Sequence, residues 1–317
     1  MKSTEQTMNE IFDKIESYDS IVIFGHMNPD GDCVGSVMGM KKVLISLFPD
    51  KKVYALGSHP RYLPSFIEPS DVVDDQVISE SLALMVDLSD LNRVEDSRIS
   101  TAKEIVCFDH HIASKDGYPF LNYRDEEAPS ATFVLTQCLL KRYGFVPKTA
   151  AIYFFLGLVT DTGRFQFDCE PETLRIAGYL ISLGVDYKAI YNELYSQSSI
   201  GLRYRAFIYS SFEFEGKVTY CVVHKEDYQK IGLTSNDASG KTGLIALLDH
   251  HPMWIFFVEQ EDSTVRVEFR GDGSYNMQEV ATNFGGGGHF SASGCRLPNF
   301  DKVKEVLAYC NQMKAVK

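Results

Sequence analysis

The feature that most constrains the fold is a series of short, almost continuous apolar runs that alternate with helix-like segments between residues 20 and 161. The runs SIVIFGH, KKVYALG, ALMVDL and EIVCFDH lack strict alternation, which is typical of parallel strands covered on both faces. The segments CVGSVMGMKKVLISLF, SATFVLTQCLLKRYG and KTAAIYFFLGLVTDTG have helical character. This pattern predicts an α/β fold whose N-terminal part is an open, mainly parallel sheet with helices on both faces.

The pattern changes after Gly184. Residues 185–212 look helical, and strands are then expected at KVTYCVVH, MWIFFVEQ and TVRVEFR, with helices around GKTGLIALLD and at NMQEVATNF and DKVKEVLAYCNQM. This second pattern predicts a smaller C-terminal α+β domain joined to the first by a helical connector. The expected boundaries are 1–185 for the first domain, 186–209 for the connector and 210–317 for the second domain.

The composition excludes several classes of protein. The 317 residues include 31 basic and 43 acidic side chains, which gives a formal net charge of −12. Because sequence-independent binding of long duplex nucleic acid depends on basic side chains that neutralise phosphates, this charge argues against such binding. No stretch reaches the roughly 18 apolar residues that a membrane span needs, and the N-terminal segment looks like a charged amphipathic helix. The seven cysteines form no CxxC pair, which suits free thiols in a reducing compartment. We therefore expect a cytoplasmic protein.

The loop GHMNPDGD at 25–32 places one imidazole and two carboxylates between a predicted strand and a predicted helix. In open α/β sheets, ligands bind at loops that leave the carboxyl ends of strands. Taken alone, His26, Asp30 and Asp32 are equally compatible with a polar loop that caps a helix.

Further acidic and imidazole side chains recur at the ends of the predicted elements. Asp87 ends one apolar strand, Asp109, His110 and His111 end another, and Asp161 ends an apolar helix. Because the carboxyl ends of parallel strands meet at one edge of the sheet, this recurrence indicates one site.

The set that this recurrence defines contains imidazoles and carboxylates without a thiolate, which suits Mn²⁺ or Mg²⁺ better than structural zinc. If one carboxylate bridges, six side chains serve two ions at the separation of about 3.5–4 Å found in two-metal hydrolases. The six candidate ligands are His26, Asp30, Asp32, Asp87, His110 and Asp161.

The ordered set HxxPDGD, VD, DHH and TDTG resembles the DHH phosphoesterase superfamily, and the full-length pattern resembles its nanoRNase and pAp phosphatase family. The resemblance implies two divalent ions, most often Mn²⁺, with Mg²⁺ or Co²⁺ as alternatives. It also implies how the ligands divide between the ions. His26 and Asp30 would hold the first ion, Asp87 would bridge both ions, and the second ion would be held by Asp32, His110 and Asp161.

In the second half, the run GGGGH at 285–289 follows a predicted helix, and Arg270 ends a predicted strand. Glycines let a backbone approach a phosphate closely, and an arginine can hold it with two hydrogen bonds. The run resembles the signature of the DHH-associated C-terminal domain, which binds the nucleotide end opposite the metals. This implies substrate contacts by Arg270, Gly287, Gly288 and His289. Gly271 departs from the family, which commonly has serine there.

The hypothesis is metal-assisted hydrolysis of a phosphate ester. His111 would donate a hydrogen bond or proton near the phosphate or leaving oxygen, and Asp109 would orient an imidazole or support the loop. The resemblance implies that the substrates are short oligoribonucleotides, about two to five nucleotides if the cleft is limited, released as 5′-mononucleotides by a 3′–5′ oligoribonuclease. A second activity would convert 3′-phosphoadenosine 5′-phosphate (pAp) to AMP and phosphate. A homodimer is left open.

Several alternatives remain. One is a phosphodiesterase acting on pApA or other cyclic-dinucleotide products, and another is a manganese inorganic pyrophosphatase, against which GGGGH weighs. A RecJ-type exonuclease would need an additional oligonucleotide-binding domain, and a nucleotide-binding module without turnover would need a damaged ligand set. The second Asp-His-His, at 249–251, is expected to be an exposed turn before a strand.

Overall fold

The computed structural model describes residues 4–60, 62–88, 90–111, 119–167, 169–196, 198–288 and 290–316. His289, one of the expected substrate contacts, therefore lies outside the described residues. The chain divides into two compact units, Met1–Ser196 and Gln197–Lys317.

The first unit contains a parallel sheet with strand order β2-β1-β3-β4-β5. Its strands are β1 (Ser20–Phe24), β2 (Lys52–Ala55), β3 (Leu82–Val86), β4 (Glu104–Asp109) and β5 (Leu121–Arg124). Its helices are α1 (Thr4–Ser17), α2 (Gly31–Leu47), α3 (Asp75–Glu80), α4 (Ala131–Tyr143), α5 (Lys148–Asp161), α6 (Pro171–Ser182) and α7 (Tyr187–Tyr195). The predicted α/β architecture is confirmed.

Successive residues of the central strands enter two different hydrophobic cores. Ile21 and Ile23 of β1 pack into one core with α1, α2, α4 and α5, whereas Val22 and Phe24 pack into the other core, where Ile78 of α3 lies. Strand β3 is buried along its whole length. Because both faces of the sheet are covered by hydrophobic cores, the sequences of these strands are continuous apolar runs.

Glycines allow α2 and α5 to approach each other closely behind the ends of the strands. A Cβ at Gly35 would lie 2.5 Å from the carbonyl oxygen of Tyr153, and one at Gly39 would lie 2.4 Å from the ring of Phe154. Both helices carry residues of the motifs at their ends, so this close packing fixes where Asp32 and Asp161 lie.

The second unit contains a mixed sheet with strand order β10-β11-β9-β8-β7-β6, in which β7 and β8 are parallel and the other pairs are antiparallel. Its strands are β6 (Phe212–Glu215), β7 (Val218–Val223), β8 (Met253–Glu259), β9 (Val265–Gly271), β10 (Gly287–Gly288) and β11 (Ala292–Leu297). Its helices are α8 (Ser199–Ser211), α9 (Lys225–Ile231), α10 (Ser235–Ala238), α11 (Met277–Asn283) and α12 (Val303–Gln312). The predicted α+β class is confirmed.

The two faces of the second sheet differ. One face packs with residues of α11 and α12, among them Val280 and Leu307, in a single core. On the other face, Trp254 and Phe256 of β8 pack with Tyr204 of α8. On β9 and β11 that second face carries polar side chains instead.

Several local predictions were wrong or incomplete. The segment GKTGLIALLD forms only a short 3₁₀ turn at Thr242–Ile245, because Gly240 adopts a left-handed conformation and Gly243 weakens the helix. The segment expected as one helical stretch forms α7 and α8 separately, and the Ser198 hydroxyl caps α8. The sequence analysis did not predict elements α3, α6, α9, α10, β5, β6, β10 and β11. None of the described helices is long and apolar enough to span a membrane.

Candidate functional site

The loop after β1 presents one nitrogen of His26 to the centre of the candidate site. The ring Nδ1 lies 3.0 Å from the carbonyl oxygen of Met27, which can only accept, so Nδ1 carries the proton. This leaves the lone pair of Nε2 available to bind a metal ion. Nε2 lies 3.4 Å from Oδ2 of Asp87 and 3.9 Å from Oδ1 of Asp30. His26 is buried.

Asp30 and Asp32 are placed by helix N-termini. Asp30 caps α2, and its Oδ1 accepts the backbone N–H groups of Asp32 and Cys33 at 3.0 Å each. Asp32 reaches across to the first turn of α4, where its Oδ2 accepts the N–H of Ala131 at 2.6 Å. Its Oδ1 accepts from both the backbone N–H and the hydroxyl of Thr132, at 3.1 and 2.7 Å.

Residues at the start of α4 support this arrangement. Thr132 holds Asp32, and the Ser130 hydroxyl caps α4 by accepting the N–H of Phe133 at 3.0 Å. The signal in the sequence was the segment SAT at the start of a predicted helix, which indicates a cap but not that an aspartate about 100 residues earlier would bind there.

Asp87 lies at the centre of the cluster. Its backbone has φ of 64°, a left-handed conformation that is costly for a residue other than glycine. Its Oδ1 lies 3.4 Å from Nε2 of His110, and its Oδ2 faces His26 at 3.4 Å. The side chain is almost completely buried, yet Oδ1 makes no hydrogen bond among the described residues. A buried carboxylate oxygen without a hydrogen bond is expected where a cation binds.

The DHH segment at the end of β4 positions one histidine inward and leaves the other half-exposed. Nδ1 of His110 bonds to the carbonyl oxygen of Ala128 at 3.1 Å, so its Nε2 points to Oδ2 of Asp161 at 3.5 Å. His111 remains 42% exposed, and its Nδ1 lies 2.8 Å from Oδ1 of Asp109.

Asp109 supports this segment from within the fold. It is fully buried, and its Oδ1 also accepts the backbone N–H groups of His110 and His111 at 2.9 and 3.2 Å.

The carboxylates crowd so closely that their pKa values separate. Burial raises the pKa of Asp32 well above its usual value, and the charges of Asp87 and Asp161 raise it further. Burial likewise raises the pKa of Asp161 to about 7. Burial alone would also raise the pKa of Asp87, but the facing rings of His110 and His26 hold it at about 2.

Burial acts on the pKa values of the imidazoles in the opposite direction. Burial lowers the pKa of the His26 imidazolium, but the facing Asp87 outweighs this effect and raises it to about 11. The pKa of His110 rises to about 10 by the same balance. With all four carboxylates ionised, the six side chains would carry more negative charge than two imidazoles neutralise, which fits divalent cations.

The structure brings together all six side chains that the sequence analysis named as candidate ligands. Three overlapping groups have donor atoms within 4.8 Å of one another: His26–Cys33–Asp87, Asp87–His110–His111 and Asp32–His110–Asp161. Cys33 was not expected in such a group. Asp30 is in none of the three groups, although its Oδ1 lies 3.9 Å from Nε2 of His26. The residues fit two neighbouring cation sites with Asp87 between them.

In the second unit, Arg270 and the glycine run lie near the same cavity. A cavity of about 520 Å³ is lined by Arg266, Arg270 and Arg296, together with Gly287. Gly287 pairs with Gly294 and Gly288 with Ser293. A Cβ at Gly288 would lie 2.5 Å from the Cα of Ser293, so only glycine allows this close pairing. Arg266 and Arg296 were missed, although the alternation in TVRVEFR placed Arg266 and Arg270 on one face.

Comparisons with known proteins agree with both units. Residues 20–159 match the model of the DHH family, N-terminal domain, and residues 215–315 match the DHHA1 domain. The bifunctional oligoribonuclease and PAP phosphatase NrnA of Bacillus subtilis is 31% identical over 304 residues, covering 94% of this chain and 96% of that protein. The protein of the same name from Mycoplasma genitalium is 28% identical over 310 residues, covering 96% of each.

A solved structure also shares the fold. The crystal structure of an exopolyphosphatase-related protein from Bacteroides fragilis superposes with a TM-score of 0.85 and 22% identity, over 97% of each chain. The chain belongs to the DHH family of phosphoesterases, in the group of oligoribonucleases and PAP phosphatases that carry a DHHA1 domain.

Proposed function

We propose that the protein is a phosphoric ester hydrolase that cleaves short oligoribonucleotides to 5′-mononucleotides and pAp to AMP and phosphate. The relatives from Bacillus subtilis and Mycoplasma genitalium, which this chain matches over nearly their whole length, are named for both activities. The first unit would carry out the chemistry, and the second would bind the nucleotide end. The proposed setting is the cytoplasm.

The observation that carries this proposal is the position of Asp87, whose buried carboxylate lies between the Nε2 atoms of His26 and His110. Bound at this cluster, two divalent ions would supply the positive charge that activates water and neutralises a phosphate near neutral pH. We assign the first ion to His26 and Asp30, the second to Asp32, His110 and Asp161, and the bridge to Asp87. Mn²⁺ is the proposed ion.

The remaining residues have distinct roles in this proposal. With Nδ1 engaged by Asp109, His111 is half-exposed and has Nε2 available to donate a proton to the leaving oxygen. Asp109 is a positioning residue, because it holds the imidazole of His111 and both backbone N–H groups of the segment. Arg270, Gly287, Gly288 and His289 are the proposed nucleotide contacts.

The test is a comparison of initial rates in Mn²⁺ against an EDTA control. The substrates are a 5′-labelled RNA dimer, a 5-mer and a 24-mer, together with pAp, pApA and pyrophosphate. Rapid release of mononucleotides from the dimer and 5-mer, and slow attack on the 24-mer, is the expected result. Hydrolysis of pyrophosphate alone would leave the metal assignment standing and overturn the roles given to Arg270 and the glycine run.

A further inference from the structure

One thiol lies within the candidate metal cluster, where the sequence analysis expected only imidazoles and carboxylates. Cys33, in the first turn of α2, is almost completely buried. Its Sγ belongs to the group in which donor atoms of His26, Cys33 and Asp87 lie within 4.8 Å of one another. Asp30, the other proposed ligand of the first ion, is outside this group, and its side chain is half-exposed. A sulfur atom is thus among the buried donor atoms on the His26 side of the cluster.

The spacing of these donor atoms matches what a single ion requires. Zinc binds nitrogen, oxygen and sulfur atoms at about 2.0–2.3 Å, so two ligand atoms of the same ion lie at most about 4.6 Å apart. The three donor atoms here are enclosed by a limit of 4.8 Å. Little movement of the side chains would therefore bring the nitrogen, the sulfur and the oxygen to one ion.

The position of the sulfur is fixed by the strand end beside it. Sγ accepts the backbone N–H of His26 at 3.3 Å. A Cβ at Gly25 would collide with Sγ, so this glycine provides the space that the sulfur occupies. Groups that hydrogen-bond to a ligand atom orient it toward the metal. His26 therefore supplies one ligand nitrogen and also holds the neighbouring sulfur through its backbone.

The facing atoms of His26 and Asp87 are a second, independent sign of a cation at this position. Because Nδ1 carries the proton of the neutral imidazole, Nε2 is an acceptor, and it faces Oδ2 of Asp87 at 3.4 Å. Two acceptors this close repel each other unless a cation lies between them. The carboxylate of Asp87 is also 98% buried, and its Oδ1 has no hydrogen bond among the described residues.

We propose that Cys33 is a further ligand of the first ion when that ion is thiophilic, so that Zn²⁺ and Co²⁺ bind there through sulfur, whereas Mn²⁺ and Mg²⁺ use only nitrogen and oxygen. Soft thiolates favour zinc, and hard carboxylates suit manganese and magnesium. The thiol proton passes to the buffer as the bond between sulfur and metal forms. With Asp30 as the fourth ligand, the set would match the four-coordinate sites that zinc prefers. This inference rests on the proposed function and deepens its first ion site.

The first experiment titrates Co²⁺ into the full, metal-free chain and follows absorbance in the near ultraviolet, where a thiolate bound to cobalt gives a charge-transfer band. We expect this band in the unmodified protein and in Cys107→Ser, and its loss in Cys33→Ser. Cys107 is the matched control because it is equally buried in the first unit and its Sγ donates to the carbonyl oxygen of Leu88. Circular dichroism checks the fold of each variant. Absence of the band in the unmodified protein, or its retention in C33S, would overturn the proposal.

The second experiment compares the affinities for Zn²⁺ and Mn²⁺. C33S should lower the affinity for Zn²⁺ by more than about 100-fold, since loss of an outer supporting group alone costs about 10–100-fold. The affinity for Mn²⁺ should stay nearly the same, which also shows that the variant is folded. Equal losses for the two ions would refute the ligand role of Cys33. Neither experiment needs a substrate, so absence of hydrolysis with the cobalt band retained would count against the proposed function alone.

Discussion

At the scale of single residues, the candidate site depends on where one carboxylate lies. Asp87 adopts a left-handed backbone conformation and has an oxygen without a hydrogen bond among the described residues, between two imidazoles. A strained backbone conformation of this kind persists only where the surrounding structure enforces it, and it is common at functional sites. The sequence predicted Asp87 at a strand end, but not this conformation, which follows from contacts with neighbouring strands.

Replacing Asp87 with alanine should abolish activity, since both proposed ions lose a shared ligand. Loss of a supporting residue around a metal site typically costs about 10–100-fold, and we expect a larger decrease in kcat here. The measurement combines initial rates with the metal content of the purified protein. Asp90→Asn, in the exposed turn that follows, is the control. Near-normal turnover of D87A in Mn²⁺ would refute the assignment.

Thr132 provides a test of how Asp32 is held. Replacing Thr132 with valine removes the hydroxyl that donates to Asp32 at 2.7 Å, and we expect metal affinity to fall by about 10–100-fold. Thr132→Ser should restore it. Thr136→Val lies one turn further along α4, where the hydroxyl bonds only to a backbone carbonyl, and should leave metal affinity unchanged. The affinities follow from titration with Mn²⁺, and equal effects at 132 and 136 would contradict this role.

At the scale of elements, the ends of three helices and three strands form the candidate site. The prediction that strand ends converge was reliable because parallel strands share an edge, whereas the contact of Asp32 with α4 depends on helix packing. Gly157 of α5 is a point of close contact: its Cβ would lie 2.4 Å from Thr132 and 2.5 Å from Oδ1 of Asp32.

Replacing Gly157 with alanine should therefore push α5 away from Asp32. We expect the free energy of unfolding to fall by about 1–3 kcal/mol, the usual cost of overpacking, together with weaker metal binding. Gly178→Ala on α6 is the matched control, because its Cβ meets no atom within 4 Å and should stabilise the helix by up to about 1 kcal/mol. Denaturant unfolding of the two variants measures both changes. A destabilised G178A with an unaffected G157A would contradict this account of the packing.

At the scale of the whole molecule, the cluster of acidic side chains couples cation binding to stability. A ligand that binds only the folded state stabilises it, by about 2.7 kcal/mol at a hundredfold excess over Kd. We expect Mn²⁺ to raise the midpoint of thermal unfolding followed by circular dichroism, and EDTA to reverse the change. The D87A variant should show little of this shift. An equal shift in D87A would place the bound ion elsewhere.

The sequence by itself determined the two fold classes, the order of most elements and the residues that meet at the candidate metal cluster. It could do so because apolar runs are local signals and because parallel strands bring His26, Asp87 and His110 to one edge. The wrong helix at 240–249 shows the limit of this reasoning, since two glycines outweighed the apolar pattern there.

Only the tertiary structure decided which distant groups support the site. The hydrogen bonds from Thr132 to Asp32 join residues about 100 positions apart that no local pattern connects. The physical reason is that register and helix packing are set by the whole core. The second Asp-His-His segment, at 249–251, lies in an exposed turn before β8, as the sequence predicted.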